Sequence, residues 1–179
     1  MGRKQLIAIG KAALLVVIAV ALQVLVVSRV SVLGVTADLF LIFTVVVAIS
    51  LGSMHGAVFG FLAGVVADIA FVETLGLRSL IYVLSGYFVG MIVRRFGTVN
   101  LWGVFLIAGG ASFVAQFLYG LAQYAMGPQA GFFTIVGTQI LPETVLDALV
   151  TVPVYLLLVR LRVIPAPRVD TGTAGSGAR

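Results

Sequence analysis

Glu143 and Asp147 stand four residues apart, a spacing that puts both carboxylates on one face of a helix. Paired carboxylates can do general acid–base chemistry or hold a cation. Either task needs companions, and the sequence supplies few. Cysteine is absent, which removes thiol nucleophiles, disulfides and thiolate metal sites together. The single histidine, His55, has no second imidazole with which to complete a metal site. No nucleophile motif or phosphate-cradling glycine loop accompanies the pair. The sequence therefore predicts no catalytic, cofactor-binding or metal-ligating residues, and the chain reads as a non-enzyme.

Asp38, Asp68 and Arg78 are notable for their apolar surroundings. A carboxylate at the centre of a membrane span costs roughly 2.5–3.5 kcal/mol on insertion scales. Asp68 must therefore face protein or water, and Arg78, just beyond it in the chain, is the expected counter-charge. An ion pair or a helix-end hydrogen bond is the plain reading of Asp68; a proton or ligand site is the sharper one. Asp38 opens an apolar run, where aspartate suits a helix N-cap. Pro142 precedes Glu143 as befits a first helical turn. Gln116, Gln123 and Gln139 are suited to hydrogen bonding between helices.

The elements that must position these residues are membrane spans. Of the 179 residues, 61% are hydrophobic and only 9% charged, and the mean hydropathy is +1.23. Soluble domains carry about 25% charged residues. So few polar side chains cannot clothe a water-soluble globule, and the solvent must be lipid. Six apolar runs near the length of a crossing follow, at about 6–27, 38–51, 55–72, 77–93, 101–126 and 141–159. An apolar stretch at 131–140 is expected at the interface or as a re-entrant segment. The first run is too long for a signal peptide, and Val26-Val27-Ser28-Arg29 offers no small-x-small cleavage site, so it is expected to remain.

Charge sets the orientation. With the amino terminus inside, nine of the eleven basic residues fall on the cytoplasmic side and five of the six acidic residues on the other. Both termini are then cytoplasmic. Residues 1–164 form one six-helix, all-α integral membrane domain, and 165–179, rich in small residues, are expected to be a disordered tail. The basic residues cluster at span ends without interleaved aromatics, which argues against nucleic acid and for membrane lipids as their partner.

Glycines recur every fourth residue at Gly56, Gly60 and Gly64, with Asp68 at the next step; Gly86 and Gly90 form a second pair. Small residues so spaced let helix backbones approach closely in lipid. They predict a packing surface, either within the bundle or toward a partner helix.

Between 37 and 96 the chain resembles the MreD family of rod shape-determining proteins. The resemblance rests on ADLFLI, GAVFGFLAGVVADIAF, LGLRSLIYVLSGYFVG and the closing Arg94-Arg95-Phe96, in that order. Family members commonly carry Pro before the aspartate that Asp38 matches; here Ala37 stands there. Beyond Asn100 only hydropathy matches. The resemblance implies a scaffold in the bacterial inner membrane, within the cell-wall elongation machinery. It implies MreC as direct partner, with control over the glycosyltransferase RodA and its class B transpeptidase, and MreB following from the cytoplasm. It also implies a fold similar to the S components of energy-coupling-factor vitamin transporters.

That likeness supplies an alternative: a vitamin-binding S component with an outer pocket to which Tyr124, Gln129 and Gln139 contribute. The short outer loops argue against it, as does Trp102 at the inner interface. An ion-coupled transporter using Asp38, Asp68, Glu143 and Asp147 as carriers is disfavoured by the lack of an internal repeat.

Overall fold

The structure, a computed structural model, describes residues 35–70, 76–97, 99–126, 136–161 and 163–164, together with Ile18, Ala21 and Gln23. The architecture is all-helical and is organised around its shortest long helix. This helix, α1 (Leu39–Leu51), reads LFLIFTVVVAISL and is apolar on every side. A helix of that kind has no face to offer water and belongs in an interior. Eleven of its 13 residues, Leu39 to Ile49, are buried. Its length, about 20 Å at 1.5 Å per residue, falls short of the ~30 Å hydrocarbon layer. Protein rather than lipid covers most of its surface.

Gly52 ends α1 at φ +93°, a conformation side-chained residues avoid, and its N–H bonds the Ala48 carbonyl at 2.9 Å. The chain turns back at once into α2 (Ser53–Ala70). There follow α3 (Leu77–Phe96), α4 (Leu101–Met126), a five-residue π-helix (Val136–Ile140) and α5 (Leu141–Arg160). Among the described residues four segments are long and apolar enough to cross a membrane: Ser53–Ala70, Leu77–Phe96, Leu101–Met126 and Val136–Arg160.

The glycines lie where α2 meets α3. A Cβ on Gly56 would stand 2.7 Å from the Gly86 carbonyl oxygen, and one on Gly60 2.7 Å from the Tyr82 carbonyl carbon. One on Gly64 would stand 2.7 Å from the Ser79 nitrogen, and one on Gly90 2.6 Å from the Gly52 carbonyl carbon. As positions rise along α2 their partners fall along α3, so the two helices run antiparallel. The Gly56 position also meets the Ala48 Cβ of α1 at 2.5 Å, placing the stripe at the seam of three helices. Backbone contact of this closeness holds helices together in lipid, where burial of apolar surface does not.

Hydroxyls inside the bundle bond their own helices: Thr44 donates to the Phe40 carbonyl at 2.7 Å and Thr151 to that of Asp147 at 2.6 Å.

Five of the six predicted runs coincide with described helices, α1 to α5. Of the first run only Ile18, Ala21 and Gln23 are described, all helical; the rest of it and the tail at 165–179 lie outside the described residues. Of the stretch at 131–140 the described part, Val136–Ile140, continues directly into α5. Pro142 gives no N–H and crowds the carbonyl of Thr138, and the wider π turn takes up that clash.

Candidate functional site

The N-terminus of a buried helix presents unpaired N–H groups that lipid cannot satisfy. At the start of α1 four segments supply partners. Asp38 is 5% exposed and serves as the N-cap, its Oδ1 accepting from the Leu41 N–H at 3.1 Å. Its own N–H donates to Asp147 Oδ1 of α5 at 2.8 Å. Gln23 clamps the residues on either side, donating Nε2 to the Ala37 carbonyl at 3.2 Å and accepting the Leu39 N–H at 3.0 Å.

The second oxygen of Asp38 turns to α3. It accepts from Tyr82 Oη, and Arg78 Nη1 pairs with it at 3.3 Å. The Arg78 guanidinium also lies 4.6 Å from the centre of the Tyr119 ring on α4, a cation–π arrangement. Around them stand Ser112, donating Oγ to Asp147 Oδ2 at 2.5 Å, and Gln116, donating Nε2 to Glu143 Oε1 at 2.6 Å. Glu143 is within electrostatic range of both Asp38 and Arg78. One cation and three carboxylates thus converge at one end of the bundle, drawn from α1, α3 and α5.

Asp68 belongs to a different helix end. Gly76 precedes α3 at φ +96° and has no side chain with which to cap it. Asp68, 1% exposed on α2, does so from across the turn. Its oxygens accept from the N–H groups of Gly76 at 2.8 Å, Arg78 at 3.1 Å and Ser79 at 3.4 Å, and from Ser79 Oγ at 2.9 Å. Negative charge is favoured at a helix N-terminus, and charge-assisted bonds of this kind are the strong ones. Arg78 therefore meets Asp68 through its backbone, while its side chain pairs with Asp38. The expected side-chain pairing of Asp68 with Arg78 is corrected accordingly.

The cavity bounded by Asp38, Arg78, Tyr82, Gln116 and Tyr119 holds about 10 Å³, room for about one water. Small-molecule pockets are about 300–1,000 Å³. Tyr124 and Gln139, expected to contribute to an outer pocket, are exposed on the surface; Gln129 lies outside the described residues. The arrangement thus does the work of fastening: each carboxylate accepts bonds from another element.

Residues 4–162 match the family model described as rod shape-determining protein MreD. The chain belongs to the MreD family. No curated protein and no solved structure matches it. Membership assigns the chain to rod-shape determination, and with four apolar crossing-length helices it is a multi-pass membrane protein.

Within this MreD-family fold the structure unites Asp38, Arg78, Glu143 and Asp147, sets Asp68 apart, and buries the glycines between α2 and α3. Sequence reasoning missed Gln23, Tyr82, Ser112 and Tyr119. A signal for two of them exists: Ser112, Gln116, Tyr119 and Gln123 recur at helical spacing along one face of α4.

Proposed function

We propose that this chain is a non-enzymatic scaffold of the cell-wall elongation machinery in the bacterial cytoplasmic membrane. It binds MreC and, with it, helps control peptidoglycan synthesis by RodA and its class B transpeptidase, with MreB following from the cytoplasm. The whole chain forms six spans of the S-component type with both ends cytoplasmic. Residues 1–164 make the single domain, and 165–179 a disordered tail.

The observation that carries this reading is the family match over residues 4–162. The site chemistry accords with it, since the polar side chains bond one another between helices and the space framed by Asp38, Arg78 and Gln116 is only about 10 Å³. The glycine stripes hold α2 to α3, so a partner helix would dock on the outward, apolar faces. A groove of about 340 Å³ between those two helices, lined by Phe61, Val65, Leu80 and Val83 together with Asp68, Gly76 and Ser79, is the place we assign to it.

Depletion in the source bacterium tests the proposal. Rods should round up within a few generations, with labelled wall precursor no longer incorporated along the side wall, and re-expression should restore both. Unchanged rods with a new vitamin requirement would make the chain a vitamin-binding subunit instead.

A further inference from the structure

Among the described residues, the end of the bundle opposite the Asp38 cluster carries positive charge only. Arg94 and Arg95 occupy the last turn of α3, and among the described residues no carboxylate lies at that end. Two large aromatic side chains belong to the same end, Phe96 of the last turn of α3 at 73% exposure and Trp102 of the first turn of α4 at 75%.

Both helix ends that present them are capped. Gly97 closes α3 at φ +75°, its N–H bonding the Val93 carbonyl at 3.1 Å. Asn100 opens α4 by accepting the Gly103 N–H at 2.8 Å. The Arg94 guanidinium is held against the α1–α2 turn, where a Cβ on Gly52 would stand 3.1 Å from its Nε. Arg95 follows about 100° further round the helix.

We propose that Arg94, Arg95, Phe96 and Trp102 form a binding site for the phosphate head group of anionic phospholipids. A guanidinium fork matches phosphate oxygens in geometry and charge. Exposed aromatic rings at a span end lie at head-group depth, and this places the phosphate of a lipid, rather than an acidic protein segment, beside the arginines. The uncompensated charge makes the contact selective for anionic over zwitterionic lipid.

Trp102 is the chain's only tryptophan, so its fluorescence reports on this site alone. The protein is reconstituted in phosphatidylcholine vesicles holding equal mole fractions of brominated phosphatidylglycerol or brominated phosphatidylcholine. The anionic quencher should be enriched at Trp102 roughly five-fold over the zwitterionic one, the preference expected from about one well-placed arginine. Arg95→Gln should reduce that ratio, and Arg94→Gln/Arg95→Gln should bring it to one with the size-exclusion profile unchanged. Equal quenching by both lipids in the unaltered protein overturns the proposal and leaves the arginines for an acidic protein. A preference that survives the double substitution overturns it too. Loss of the preference on adding inorganic phosphate, but not chloride of matched ionic strength, would make this a site for free phosphate rather than a lipid.

Discussion

Gly60→Leu should lower the melting temperature sharply. A first side-chain atom at this position would already be 2.7 Å from the Tyr82 carbonyl carbon and 3.0 Å from Thr44 Cγ2. The obstacle is backbone on one side and the buried core of α1 on the other, so neither can yield by changing a rotamer. Overpacking a well-filled interior costs about 1–3 kcal/mol and more when backbone must shift. Leucine adds three further carbons, and α2 must leave α3 along the stripe that joins them. Against a total stability of about 5–15 kcal/mol, a loss of ~3 kcal/mol should lower the melting temperature in mild detergent by roughly 6–12 °C. Insertion itself should persist, because the substitution makes the span more hydrophobic. Gly110→Leu is the control, since a Cβ there meets nothing within 4 Å and its side chain would face outward from α4. A Gly60→Leu protein that melts at the unaltered temperature would contradict the α2–α3 register.

Asp38→Ala should be nearly as damaging, for electrostatic reasons. The substitution takes the carboxylate away from the Arg78 guanidinium, removes the acceptor of Tyr82 Oη and uncaps the Leu41 N–H. Removing one member of a buried ion pair costs about 3–5 kcal/mol, and the partial exposure of Arg78 puts this pair at the lower end. The same reasoning predicts a partial rescue. Asp38→Ala/Arg78→Leu also removes the cation that has lost this carboxylate, and it should be more stable than Asp38→Ala alone by about 1–3 kcal/mol. Thermal melts of the three proteins in one detergent check this. If the two substitutions simply add, the pair contributes nothing as a pair, and the cluster is not what fastens α1 to α3.

These effects divide along the line between what was legible in the sequence and what was not. Helix positions were legible because lipid imposes long apolar runs, and α4 begins and ends at the expected residues, Leu101 and Met126. The central place of α1 was not. Hydropathy does not distinguish a helix facing lipid from one facing protein, and α1 reads as an ordinary short span. The glycine spacing pointed to close packing, but geometry was needed to find α3 as the surface it meets. Arg78 was assigned to the carboxylate nearest in the chain, Asp68. Its backbone does meet that residue, whereas the side chain reaches Asp38, 40 residues away. Asp68 makes the helix-end hydrogen bonds expected of it, but to the start of the next helix, whose own N-cap is glycine.

In this account the buried polar residues lock one helix arrangement, and that arrangement presents an outer surface for partners. The claim stands or falls on association. The most direct measurement is purification of the tagged chain from its own membranes in mild detergent, with co-isolated proteins identified by mass spectrometry. The account predicts recovery of MreC in near-stoichiometric amount, with RodA or its transpeptidase. Recovery of ATPase subunits with an energy-coupling membrane protein, or of no membrane partner at all, would contradict it.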